Sequence, residues 1–105
     1  MLDWTKIVGF QWDIGNSRKN HEKHDVSKLE AEQIFFNQPL LIVEDVRHSD
    51  DEVRFHALGK TDSLRFLHVT FTLRDTGTRI RVISARAMHR KERKIYEQTE
   101  NNPQI

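Results

Sequence analysis

Between residues 67 and 74 apolar and polar side chains alternate without a break: Leu67, Val69, Phe71 and Leu73 against His68, Thr70, Thr72 and Arg74. A period of two is the pattern of a strand with one buried face. Shorter stretches of the same pattern run through Val53, Phe55 and Ala57 to Gly59, and through Ile80 and Val82 into Ile83-Ser84-Ala85-Arg86. The aliphatic run Leu40 to Val43 predicts one more strand. Asp75-Thr76-Gly77 predicts a hairpin turn, residues 45–51 a polar loop, and residues 60–64 a turn.

Helical patterns flank the strands. Phe10 and Trp12 suggest a short extended start, and Asp13 is placed to cap a helix entering at Ile14. Residues 15–25 contain no apolar side chain, so this helix has no stripe to bury. Ser27 and Glu30 have capping-box spacing and open a second helix. Leu29, Ala31, Ile34, Phe35 and Phe36 give it a broad apolar face, and Asn37, Gln38 and Pro39 end it. A final helix is predicted over Met88 to Gln98. Met88, Ile95, Tyr96 and Thr99 share one side of it, and Arg90, Arg93, Lys94 and Glu97 cover the other. The expected fold class is therefore α+β: two N-terminal helices, an antiparallel four-stranded meander and a C-terminal helix, with the helices against one sheet face. A single domain is expected over residues 1–99, with residues 100–105 as a flexible tail.

Charge changes this picture. The net charge is +1, yet residues 74–94 hold eight cations, six of them arginine, against Asp75 and Glu92 alone. Arginine presents a planar fork that suits phosphate. If one sheet face is packed, the polar alternates collect on the other. That face would carry Arg54, His56, His68, Thr70, Thr72, Arg74, Arg79 and Arg81, with no acid among them. Such a floor fits a phosphate-rich ligand, RNA first of all.

Other chemistries lack their residues. With no cysteine there is no disulfide framework, thiol nucleophile or cysteine zinc site. No G-x-S-x-G, P-loop or G-x-G-x-x-G occurs. His21 and His24 form an H-x-x-H without the glutamate of HExxH, and read as solvated histidines rather than metal ligands. No metal or other cofactor is expected. No secretory signal and no apolar run of membrane length is visible, so a cytoplasmic location with no membrane association is expected.

Three groups of residues carry a resemblance to a known family. They are Phe10-Gln11-Trp12-Asp13 with Asn20, Lys23-His24 and Val26; Glu52-x-Arg54-Phe55-x-Ala57-x-Gly59; and Ile80 to Arg86, Ile-Arg-Val-Ile-Ser-Ala-Arg, followed by Arg90-x-Glu92-Arg93-x-x-Tyr96-Glu97. In that order they resemble BrnT-type toxins over residues 10–97. The chain departs from that pattern at Asn16, Lys28 and Val53. The resemblance implies a RelE-like fold and a metal-independent endoribonuclease that inhibits growth. It further implies a BrnA-like antitoxin with a ribbon-helix-helix part, a heterotetramer with it, and contact with operator DNA only through that complex.

Metal-free RNA cleavage uses the 2′-hydroxyl as nucleophile. It needs a base for that hydroxyl, cations for the crowded phosphorane and an acid for the leaving 5′-oxygen. Arg54, Arg74 and Arg86 are the expected phosphate holders, and His24, Glu52, Glu92 and Tyr96 the candidates for proton transfer. Lys23, Arg79, Arg81, Arg90 and Arg93 are expected to bind the RNA backbone. Two other readings use the same basic segment, a non-catalytic nucleic-acid-binding module and a protein-interaction module.

Overall fold

The alternating segments become three neighbouring strands of one sheet. A computed structural model describes residues 2–48 and 52–101. Its elements are β1 (Gly9–Gln11), α1 (Ile14–His24), α2 (Lys28–Gln33), β2 (Leu41–Glu44), β3 (Arg54–Lys60), β4 (Phe66–Arg74), β5 (Arg79–Ala87) and α3 (Arg90–Asn101), with short 3-10 turns at Trp4–Lys6, Ile34–Phe36 and Val46–His48. Part of the expected polar loop, residues 49–51, and residues 102–105 of the expected tail lie outside the described residues.

Among the described residues the sheet has five strands in the order β1-β5-β4-β3-β2, not four. β2 to β5 form the expected antiparallel meander. The fifth strand is the extended start: β1 pairs in parallel with β5, Phe10 opposite Ile80, which makes the sheet mixed. Three residues whose partner lies some seventy positions away leave no periodic signal.

One sheet face is dry. Phe55 and Ala57, Leu67, Val69 and Phe71, and Ile80, Val82 and Ala85 pack there against Val26, Ala31 and Ile34 from the helical side. Gly59 is needed where the helical layer comes closest, since a Cβ there would stand 2.9 Å from that of Ile34. The local chemistry of α1 and α2 matches their sequence. Asp13 accepts from the backbone of Asn16 at 3.1 Å, and Ser27 and Glu30 form the full capping box. The polar α1 is anchored by a buried amide instead of an apolar stripe. β1 covers only Arg79–Arg81, and on the open edge beyond it Asn20 Oδ1 accepts from Ala85 N at 3.2 Å. The apolar face of α2 is narrower than expected, because Leu29 and Phe36 are exposed.

The expectation of all helices on one face also needs correction. Phe66 lies on the polar side of β4, one residue from core Leu67, and Tyr96 of α3 packs on it at 5.4 Å between ring centroids. Lys60 Nζ, on the same side, meets Glu100 at 3.1 Å. α3 therefore caps one end of the opposite face. It reaches Asn101, so Glu100 and Asn101 are helical rather than frayed. Tyr96 is its single buried residue among those described, and Ile95, expected beside it, is half exposed.

Candidate functional site

The face away from the core is organised in rows across β3, β4 and β5. Arg74 lies opposite Arg79 at one end. Next come Arg54, Thr72 and Arg81, then His56, Thr70 and Ser84, then Leu58, His68 and Arg86. Phe66 and α3 close the far end. Rows repeat every two residues, about 7 Å, so the arginines span about 20 Å along the strands. They line a track and do not converge on one point.

A β-bulge places the last of them. The pairing jumps from Thr70 opposite Ser84 to Phe71 opposite Val82, leaving Ile83 as an extra residue. Unbroken alternation from Arg79 and Arg81 would send residue 86 to the core face. The extra residue reverses the phase and turns Arg86 onto the polar face.

Each arginine of the track for which a salt bridge is resolved meets a carboxylate from a different part of the chain. Arg74 meets Glu52 at 3.1 Å, Arg79 meets Asp75 at 3.0 Å, and Arg81 meets Gln11 Oε1 at 3.0 Å and Asp13 Oδ2 at 3.3 Å. These pairs are open to solvent on at least one side, and such pairs contribute about 0–1 kcal/mol. A phosphate can displace them cheaply.

The pair of Arg86 is different. Its guanidinium donates twice to Glu92, at 2.8 and 3.0 Å, and Glu92 also accepts from His89 N at 2.8 Å. Burial opposes the charge on Glu92, but the hydrogen bonds from Arg86 and His89 win and pull its carboxyl down to about 2. Glu92 thus stays ionised, is a very weak base, and ties the first turn of α3 to β5. Arg86→Ala is expected to cost about 2 kcal/mol in a denaturant melt, as charge-assisted hydrogen bonds do. Combined with Glu92→Gln it should cost less than the sum of the two single changes; additivity would show that the pair does not act as a unit.

Two imidazoles follow along the track, His56 in the row of Thr70 and Ser84 and His68 in the row of Arg86. The rings of His56 and His68 stand 4.9 Å apart between centroids, tilted by 32°. His56 Nε2 meets Asp45 Oδ2 at 2.9 Å and its Nδ1 meets Thr70 Oγ1 at 3.0 Å. Its side chain is 31% exposed, whereas that of His68 is 11% exposed. His68 Nε2 lies 3.9 Å from Glu92, and its Nδ1 is buried without a hydrogen-bond partner. Burial, and then the charge of Arg86, push His68 down to about 4, so it is neutral at neutral pH.

The other expected site residues stand elsewhere. Lys23 and His24 are on the exposed last turn of α1; the His24 carbonyl accepts from Arg65 at 3.2 Å. Tyr96 is fully buried, donates its hydroxyl to the Pro39 carbonyl at 2.6 Å, and burial raises it to about 12. Arg90 is exposed at the start of α3, and Arg93 lies over the Phe66 ring at 4.7 Å. The structure thus brings Glu52, Arg54, Arg74, Arg79, Arg81, Arg86 and Glu92 to one face, buries Tyr96 at its far end against Phe66, and leaves Lys23 and His24 off it. Sequence reasoning placed His56 and His68 on the floor without giving them a role, and passed over Asp45. The usable signal was two imidazoles at inner positions of adjacent alternating strands.

A family model described as the ribonuclease toxin BrnT of type II toxin–antitoxin systems matches residues 12–92. Among solved structures, the crystal structure of the Brucella abortus ribonuclease toxin BrnT is similar in fold. Its TM-score is 0.60 at 20% identity, covering 79% of this chain and 99% of that one. No curated protein matches the chain.

Proposed function

Because the chain belongs to the BrnT family of ribonuclease toxins of type II toxin–antitoxin systems, we propose that it cleaves RNA without a metal ion on the open face of its sheet, and so inhibits growth. The observation that carries this reading is the row structure of that face. Arg74 and Arg79, then Arg54 and Arg81, stand on one surface with imidazoles in the next rows. Cations spaced along strands match a ligand with charge at regular intervals, and a sugar–phosphate backbone is such a ligand.

In this reading the RNA lies along the strands with phosphates over the arginine rows. Displacement of Glu52 and Asp13 from Arg74 and Arg81 accompanies binding. The family implies an antitoxin partner; a BrnA-like protein with a ribbon-helix-helix part, touching operator DNA only in the complex, is the proposed form. The chain is proposed to act as a single domain in the cytoplasm. Among the described residues no helix is long and apolar enough to cross a membrane.

Incubating the pure protein with RNA in EDTA tests the reading. Cleavage leaving 2′,3′-cyclic phosphate ends is expected. Retention of RNA without cleavage would replace it with a non-catalytic binding module, and neither result would point to a protein-interaction role for the basic segment.

A further inference from the structure

Of the groups expected to move protons, three are removed by their surroundings. Glu92 is held ionised by Arg86 and His89, Tyr96 is buried with its hydroxyl engaged, and His24 stands on another element. Glu52 meets Arg74 at the end of the track, two rows from His56. Arginine does not exchange protons near neutral pH. Among the described residues, the middle of the open face holds a partly exposed imidazole, His56, and a carboxylate already orients it. We propose that His56, oriented by Asp45, is the catalytic residue that shuttles the proton in RNA cleavage. This rests on the ribonuclease reading above and names the residue that reading lacks.

The geometry sets the assignment of nitrogens. Asp45 Oδ2 at 2.9 Å accepts a hydrogen bond from Nε2–H, which leaves Nδ1 of the neutral ring as the acceptor, satisfied at rest by the Thr70 hydroxyl at 3.0 Å. When RNA binds, rotation of that hydroxyl releases the Nδ1 lone pair. Nδ1 takes the proton of the 2′-hydroxyl as the bond from O2′ to phosphorus forms. The bond from phosphorus to O5′ then breaks, and the same proton passes from Nδ1 to O5′. The products are a 2′,3′-cyclic phosphate and a 5′-hydroxyl, and no proton is gained or lost. One imidazole therefore suffices.

The neighbours fit a transient charge on His56. Asp45 faces it from the loop after β2, Arg54 precedes it on the same side of β3, and the tilted ring of His68 stands beside it on β4. Arg86 of β5, with Glu92 and His89 of α3, lies beyond His68. Because His68 is kept neutral, it adds no second positive charge against the ring when His56 takes up the proton. His68 is thus a positioning residue in this scheme.

The test compares wild type, His56→Gln and His56→Phe in EDTA, using RNA for cleavage and the same sequence with 2′-deoxy linkages for binding. Gln can still bond to Asp45 or Thr70, and Phe can still stack on a base, but neither carries a proton between oxygens. Both variants are expected to lose cleavage by about 100-fold or more, as removal of a general base does. Binding of the deoxy strand should stay within about twofold for His56→Gln, since phosphate contacts carry affinity. A His56→Gln variant that cleaves within a few fold of wild type would overturn the assignment and leave the ribonuclease reading intact. Retained activity in His56→Phe alone would overturn it in favour of stacking. If wild type itself fails to cleave, the ribonuclease reading falls, and this assignment with it.

Discussion

Arg54→Ala is expected to lower the rate of RNA cleavage at saturating RNA by about 10²–10³-fold, the effect of removing one preorganised donor from a developing charge. Arg54 opens β3, shares a row with Thr72 and Arg81, and is followed on the same side of its strand by His56. Among the arginines of the face it is nearest in sequence to the imidazoles, two positions from His56. Arg81 shares the row from β5, about 10 Å away across two strand spacings, with its fork engaged by Gln11 and Asp13. Its expected role is to hold the backbone. Arg81→Ala should weaken RNA binding, lower the salt slope of binding by about one, and leave the saturated rate within a few fold of wild type. Arg54→Lys keeps the charge but loses the planar fork and should fall between wild type and Arg54→Ala. Equal effects of Arg54→Ala and Arg81→Ala on binding, with no separate loss of rate, would place both in binding only and move the reaction centre elsewhere.

How much of this was legible beforehand differs with the range of the interaction. Contacts within a few residues were readable. Asp13 caps α1, Ser27 and Glu30 close a capping box, and Asp75 to Gly77 turn the β4–β5 hairpin with left-handed backbone at Asp75 and Thr76. The alternation of β3 and β4 predicted which side chains share a face, and the rows follow from it. What could not be read depends on distant partners or on a single extra residue. The parallel pairing of β1 is one case. The bulge at Ile83 is another: Val82-Ile83-Ser84 carries no glycine or proline to mark it, yet it decides which way Arg86 points.

The acids were the least legible part. Asp13, Glu52 and Glu92 meet Arg81, Arg74 and Arg86 from other elements, so counting charges along residues 74–94 overstated how exposed the positive charge is. The placement of α3 was hidden for a related reason. A helix buried at Tyr96 alone among its described residues is held by Phe66, Pro39 and the Arg86–Glu92 pair, not by an apolar stripe. Burial first, and then the charge of Arg86 from that pair, keep the neighbouring His68 neutral, while Glu92 pulls the other way. Anchoring the helix and setting the charge of the imidazole pair are therefore coupled.

That coupling predicts a steep acid dependence of stability. His68 has a folded value of about 4 against 6.5 for the free side chain. As pH falls below 6.5 the unfolded chain takes up a proton that the folded chain refuses, so stability is lost down to about pH 4 and then levels. Glu92 has a folded value of about 2 against 4.5. It contributes stability that is complete above about pH 4.5 and is lost as pH falls toward 2. Each step is worth on the order of 2 kcal/mol once solvent screening is allowed for. Together they are a large fraction of the 5–15 kcal/mol by which domains are typically stable, roughly. Thermal melts at pH 7 and pH 5 separate the two, because only the histidine step operates there. Wild type is expected to melt roughly 10 °C lower at pH 5. His68→Leu replaces a buried ring whose Nδ1 has no hydrogen-bond partner with an apolar side chain, so it should melt near wild type at pH 7 and lose much less on acidification. An equal drop in His68→Leu would show that this imidazole is not the group refusing the proton.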